Sequence, residues 1–458
     1  MNYSILPALV LICLALSLTV GCTSNRPYRT GFNAEDPTQP GPNPTNSVIE
    51  VTPDYKMGFV EFDDQGWFWD VKQKSAVEEM IRNECGIGTA KESAVILALF
   101  VHGWKNNAAF DNTNVETFRT VLKQLNDLEK AFSQKENRNP RKLIGIYAGW
   151  RGLSIESDYF PIPLGKETTF WSRKNAAQRV GGYGAMTELV MDLEVLQRTN
   201  NNSLPTNASK TKLIIVGHSF GADAVYNAIS QIVTERFVDT IKQSPGELLK
   251  PLGDQVILLN PAFEAARFYD LEQLARSVRE YAPNQRPVLS VFQSKGDWAT
   301  HDFFPIGQKI ATIFQRHRSG FQKQSNQESV GWFEPFITHE LQYNTNAPDS
   351  STSGTNGPPT GRHELRTRDK LPGAADNIIS QRRVWRFSSA QATTNIFGNC
   401  ILTSKPNYRP RNPIVVVSVD KQIMKDHDDI GNPVLINFLQ EYIPFCDDEP
   451  ATTPFEAK

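Results

Sequence analysis

The chain has 458 residues, 39% of them apolar, and its 48 Lys and Arg against 50 Asp and Glu leave a net charge of −2 at pH 7. That balance gives no general attraction to nucleic acid or to acidic membranes. The length outside the amino-terminal segment suits one α/β domain carrying insertions rather than a minimal single core, and neither an internal repeat nor a paired-Cys zinc spacing is present.

Taken in chain order, Ile5 to Val20 is almost wholly apolar and is followed by Gly21-Cys22. The run has the length of a secretory h-region rather than of a membrane span. A small residue and then Cys at its end resembles a bacterial lipoprotein signal spanning 1–22, which implies lipidation of Cys22 after cleavage. Thr23, where Asp is absent, resembles the outer-membrane sorting pattern. The resemblance implies a lipid-anchored protein of the cell envelope, outer membrane ahead of inner, with its globular part outside the cytoplasm. An ordinary cleaved signal and a retained anchor are the alternatives. Residues 23–48, rich in Pro, Asn, Thr and Gly without apolar periodicity, read as a disordered tether. Outside the cytoplasm one disulfide is chemically possible, with Cys400–Cys446 the favoured pair and Cys85 left as a thiol.

Residues 49–458 then read as the folded domain. Gly58 to Phe62 and Trp67 to Trp69 flank Asp63-Asp64-Gln65-Gly66, which predicts a hairpin at a sheet edge. Val77, Met80 and Ile81 mark a helix. Ala94 to Val101 is a continuous apolar run, the mark of a strand buried on both faces. A helix through Val115, Phe118, Leu122 and Leu125 follows, then a strand at Leu143 to Ala148 and a helix through Met186, Leu189, Val190 and Leu193. Leu213 to Val216, Val256 to Leu259, Val288 to Phe292 and Ile414 to Val419 are further strands, and Val434 to Tyr442 is a closing helix. Repeated strand–helix units predict a mostly parallel central sheet with helices on both faces, and functional residues at the carboxyl ends of its strands. Two segments interrupt the rhythm. One is 151–180, with Tyr159, Phe160, Phe170 and Trp171; the other is the long insertion 303–412, which has a Ser/Gly/Pro/Thr-rich stretch at 349–361. Either is placed to roof a site at the carboxyl side, as a lid or cap.

Gly217-His218-Ser219-Phe220-Gly221 follows the strand Leu213 to Val216 directly, and Val225, Ala228, Ile229, Ile232 and Val233 continue at helical spacing. Strand, sharp turn and helix are the setting that lifts a serine hydroxyl clear of a sheet, with glycines where a Cβ would collide. Ser219 is therefore the candidate nucleophile.

Here the chain resembles the α/β-hydrolase superfamily, its serine esterases and lipases, over roughly 57–300 and 413–445. That family orders its triad as nucleophile, acid and histidine, each after a successive strand. The resemblance implies His427, in Lys425-Asp426-His427-Asp428-Asp429, as the base, and Asp297 as the acid that orients it. Asp302 and Glu264 remain competing acids. His102 and His218 precede the acid and read as local structural residues, whereas His301, at the start of the insertion, and His317, His339 and His363 within it have no strand before them. The resemblance also implies an oxyanion hole made of the backbone N–H groups of Phe220 and of Trp104, the latter in His102-Gly103-Trp104-Lys105. The acids around His427 offer a metal reading, but adjacent residues of one short loop seldom converge on an ion, so neither a metal nor another cofactor is expected. Arg151 at a strand end either meets an anionic substrate or pairs with Glu156 or Asp158.

These residues imply a serine hydrolase that cleaves small-molecule or lipid carboxylic esters through an acyl-enzyme, with a membrane partner supplied by the lipidated amino terminus. A non-catalytic envelope binding protein on the same scaffold is the alternative from a different class. An acyltransferase with the same triad is a third reading, separated from hydrolysis only by water exclusion and acceptor binding.

Overall fold

The apolar runs of the sequence become strands because a segment lacking polar side chains can be covered on both faces. The computed structural model describes residues 21–22, 25–156, 169–243, 247–278, 280–282, 285–344, 394–397, 399–406 and 408–443. Among these, the strands of the central sheet are β1 (Ile49–Val51), β2 (Lys56–Phe62), β3 (Val95–Val101), β4 (Lys142–Trp150), β5 (Lys212–His218), β6 (Gln255–Leu259), β7 (Leu289–Ser294), β8 (His339–Tyr343), β9 (Thr394–Phe397), β10 (Cys400–Ser404) and β11 (Ile414–Val419). Their spatial order is β9-β10-β8-β11-β7-β6-β5-β3-β4-β2-β1. All neighbours from β2 through β8 are parallel; β1 pairs antiparallel with β2 at one edge, and at the other β10 pairs antiparallel with β8 and β9 antiparallel with β10. Every residue of β3 and of β6 is buried, as the apolar character of β3 and of β6 from Val256 onward requires.

The helices are α1 (Val71–Cys85), α2 (Thr113–Lys135), α3 (Thr169–Gly182), α4 (Ala185–Ser203), α5 (Phe220–Gln243), α6 (Ala265–Ser277), α7 (Phe304–Ala311), α8 (Gly320–Gln327) and α9 (Pro433–Tyr442). They cover both faces. Alternate residues of β3 feed two cores: Leu97, Leu99 and Val101 pack with α1, α3, α4, α5 and α6. Ile96, Ala98 and Phe100 pack with α2 and α9 on the other face. The chain passes from β3 to β4 on one side and returns to β5 on the other, so the crossing direction reverses between β3 and β5. A crevice opens at such a switch point, outside the carboxyl ends of the strands.

Three expectations are corrected. From residue 25 onward, the segment read as a disordered tether (23–48) is packed on the domain. Arg29 is fully buried: its Nε donates to the Ala108 carbonyl at 2.7 Å and its backbone N–H to Glu61 at 2.7 Å. Its guanidinium also pairs with Glu50 at 3.0 Å and lies 3.7 Å from the Phe59 ring centre. Buried polar anchors order this stretch, not apolar periodicity, and composition therefore gives no sign of it. The hairpin expected over 58–69 is a single bridge, Phe62 to Phe68; β2 instead pairs with β4 and β1. The insertion 303–412 is not wholly a lid or cap, since β8, β9 and β10 extend the central sheet.

Gly21–Cys22 form a short antiparallel ladder with Ile155–Glu156. Residues 1–20, 157–168, His363 and Cys446 lie outside the described residues, and among the described ones Cys85 and Cys400 are buried free thiols. Among the described residues no helix is long and apolar enough to cross a membrane.

Candidate active site

Ser219 occupies the turn between β5 and α5 with φ 56°, a left-handed conformation that side chains other than glycine seldom adopt. The neighbouring glycines make this turn possible. A Cβ on Gly221 would stand 2.1 Å from the Val101 carbonyl oxygen of β3, and one on Gly217 would stand 2.7 Å from Ala222 Cα. Helix α5 thus crosses hard against the end of β3, and the Ser219 backbone N–H is tied to the Leu259 carbonyl at 2.9 Å. Strain at Ser219 is held by strands on both sides.

The structure brings Ser219, His427 and Asp297 together from three strand ends. His427 Nε2 is 2.7 Å from Ser219 Oγ, and His427 Nδ1 is 2.8 Å from Asp297 Oδ2. The tautomer consistent with a neutral ring donates from Nδ1 to the carboxylate and accepts the serine proton at Nε2. Asp297 Oδ2 also accepts from Thr300 Oγ1 at 2.5 Å and Gln293 Nε2 at 2.9 Å, and Oδ1 accepts from the Thr300 N–H at 3.1 Å. Burial pushes Asp297 upward, but the adjacent His427 and these donors outweigh it and bring the carboxyl down to about 2. Burial pushes His427 down, yet the charge and hydrogen bond of Asp297, with Asp428 and Asp426 beyond, raise it above its ordinary value.

The competing acids are elsewhere. Glu264, which follows β6, accepts from Lys174 Nζ at 2.6 Å and from Gln308. Asp302 is exposed and faces His301 at 2.8 Å. Arg151 pairs with Asp64, and Asp158 lies outside the described residues. Asp64 also accepts from Arg173 at 2.6 Å, which makes the arginine a clasp between the 63–66 turn and α3.

The loop after β3 stands against Ser219: a Cβ on Gly103 would be 2.7 Å from Ser219 Cβ. His102 holds that loop. Its Nδ1 donates to the Gly103 carbonyl at 2.9 Å, and its Nε2 accepts from the Trp150 N–H at 3.0 Å. Burial lowers its pKa to about 4, so the ring is neutral and fit for both bonds. Phe220 opens α5, with its N–H at the positive end of the helix dipole. Trp104 is buried edge-on to Phe170, 5.3 Å between ring centres, and Phe170 lies 4.7 Å from Phe220. The 151–180 segment therefore does reach the site, through Phe170 of α3. Ser219 is buried, 2% exposed, beneath these aromatic side chains.

Three supporting residues, Asn260, Gln293 and Thr300, escaped sequence reasoning, and a fourth, His218, reads there as a local structural residue. Asn260 donates from Nδ2 to the His427 carbonyl at 2.9 Å, and its Oδ1 accepts from the Ser294 N–H at 2.8 Å. It thereby joins the histidine loop to the end of the acid strand. His218 Nε2 donates to the same His427 carbonyl at 2.9 Å. Gln293 and Thr300 hold the acid. A signal did exist for Asn260: it ends a strand immediately before Pro261 and takes φ 44°, a conformation asparagine tolerates. His218, His427 and Asp428 offer one ligand atom each within 4.8 Å of one another. Both nitrogens of His427 and Nε2 of His218 are already hydrogen-bonded, so the cluster has little donor capacity left for an ion.

The strand order and the serine turn at its switch point define an α/β-hydrolase fold. Residues 193–331 match a protein family described as "alpha/beta hydrolase of unknown function (DUF900)". The matching stretch runs from α4 past α8 and contains Ser219 and Asp297, ending before His427. A search of curated proteins found no match.

Proposed function

We propose that this protein is a serine hydrolase of carboxylic esters. The observation that carries the reading is the unbroken line of hydrogen bonds from Ser219 Oγ through His427 to the buried, ionised Asp297. Ser219 Oγ bonds to the ester carbonyl carbon as its proton passes to His427 Nε2. Asp297 stabilises the imidazolium so formed without taking its proton. The carbonyl oxygen, now negative, accepts from the N–H groups of Phe220 and Trp104. As the acyl-enzyme forms, the carbon–oxygen bond to the leaving alcohol breaks and His427 returns the proton to it. Water, deprotonated by the same nitrogen, then displaces Ser219 and releases the acid. The tight contact of Gly103 with Ser219 supports the placing of Trp104 beside the reacting oxygen. The aromatic side chains of Phe170 and Trp104 support an apolar acyl or alcohol group on the substrate.

Labelling with a fluorophosphonate tests this. The wild-type chain is expected to take one label, which Ser219→Ala loses together with esterase activity. A folded wild type that stays unlabelled would favour a binding scaffold instead. We propose further that Cys22 carries the lipid anchor of an envelope protein. Metabolic labelling with a radioactive fatty acid, lost in Cys22→Ala, is the expected result.

A further inference from the structure

Helix α7 and the turn after it present an apolar face to solvent. Ile306 is 57% exposed, Ile310 69%, Ile313 70% and Phe314 97%. Ile306 and Ile310 stand one turn apart on the helix, and Ile313 and Phe314 continue the apolar face in the turn that follows. The same stretch has an unusual charge. Residues 303–327 contain Lys309, Arg316, Arg318 and Lys323 and no Asp or Glu, in a chain whose net charge is −2. Among the described residues none of the four cations is in an ion pair, unlike Lys174 or Arg267 nearby. An open cleft of about 650 Å³ between α7 and α8 has Lys309, His317 and Lys323 on its walls.

We infer that this face docks on an anionic lipid surface, Ile310, Ile313 and Phe314 entering the acyl boundary while the cations meet headgroup phosphates. Apolar insertion together with unpaired basic charge is the combination that holds a helix in a membrane interface. A protein interface would use the apolar stripe but would leave the acid-free cationic rim without a purpose. The face is coupled to the site. Phe303, just before α7, packs 5.0 Å from Phe170, and Gly307 lies so close against Trp171 that a Cβ would overlap the indole. Phe170 in turn touches Phe220, the residue after Ser219, so a chain of aromatic contacts joins the docking face to the serine turn. Arg29, anchored between β2 and the loop after β3, brings the amino-terminal segment to the carboxyl side of the sheet as well.

Hydrogen exchange of the full chain, read at residues 304–323, tests the inference with or without vesicles. With vesicles of phosphatidylglycerol and phosphatidylcholine, exchange there should slow by about tenfold. High salt should weaken the effect, and Ile310→Asp with Phe314→Asp, or Arg316→Glu with Arg318→Glu, should abolish it. Exchange unchanged by vesicles would overturn the inference, as would equal protection from pure phosphatidylcholine. Protection that grows with protein concentration in the absence of lipid would assign the face to a second copy, and protection already present in dilute protein to the chain's own segments. Ser219→Ala leaves this face untouched and should behave as wild type, which keeps the outcome separate from that of the labelling experiment.

Discussion

Two buried acids flank the serine turn, and they differ in one respect. Glu264 follows β6 and Asp297 follows β7, adjacent parallel strands whose carboxyl ends open on the same crevice. Glu264 faces Lys174 at 2.6 Å, with Arg267 at 3.8 Å; Arg267 in turn holds the buried Asp223 one helical turn beyond Ser219. Burial raises Glu264, and the lysine charge more than reverses that, so it stays ionised. Its partners are the Lys174 ammonium, the Arg267 guanidinium and the Gln308 amide. Asp297 faces a histidine, whose charge comes and goes. A carboxylate against a fixed cation braces helices α3, α6 and α7; a carboxylate against an imidazole tunes a base. Position after a strand does not separate the two roles. The partner does.

The comparison can be broken most severely at Asp297. Asp297→Asn should keep the fold but lower kcat by about 10⁴-fold, since the imidazole loses the acceptor that sets its tautomer. Steady-state kinetics beside a thermal unfolding curve would show this. Glu264→Gln should do the reverse. Leaving Lys174 buried without its counter-charge should cost about 3–5 kcal/mol of stability, measured by denaturant unfolding, with kcat of the folded fraction changed only a few-fold. If Glu264→Gln abolished turnover without destabilising the chain, the assignment of roles would be wrong.

A smaller effect is expected in pH dependence. His427 must be neutral to accept the serine proton, and its pKa is raised, so activity should fall as pH drops through a value above the ordinary 6.5. Removing the Asp297 charge should move that limb to lower pH. Stability has the opposite sign. A raised histidine contributes stability fully below 6.5 and loses it as pH rises through the folded value, while a depressed Asp297 contributes above 3.8 and loses it as pH falls toward about 2. The pair should thus stabilise the fold most between those ordinary values, below the pH range in which the proposed activity is highest. A rate profile that stays flat into mild acid would contradict this. Least severe should be Asn260→Ala, which frees one of two donors on the His427 carbonyl. A loss of about 10- to 100-fold in kcat at little change in KM is expected, as for residues that orient a reacting group. Asn260→Asp should not restore it, because the carbonyl needs a donor.

Local patterns were readable from the residues themselves. β3 is apolar throughout, and β6 after its first residue, Gln255, because both faces are covered; the serine turn is marked by Gly217, whose missing Cβ answers to Ala222 within the turn, and by Gly221, whose contact with the Val101 carbonyl of β3 only the folded chain supplies. Strand–helix alternation sufficed for a mostly parallel sheet, and the order of Ser219, Asp297 and His427 along the chain, matched to a known pattern, sufficed to nominate the triad. Tertiary structure alone decided which of three acids meets the histidine, since Glu264, Asp297 and Asp302 all follow strands and only their partners distinguish them. It alone disclosed the anchoring of residues 25–48, where a few buried polar bonds made by Arg29 do what apolar periodicity would ordinarily do. It also found sheet strands within the insertion: β8, His-Glu-Leu-Gln-Tyr, is half polar because it lies toward an edge, and edge strands lack the continuous apolar signal of the centre. Burial and partnership are properties of segments far apart in the chain, so they enter only when the chain is folded.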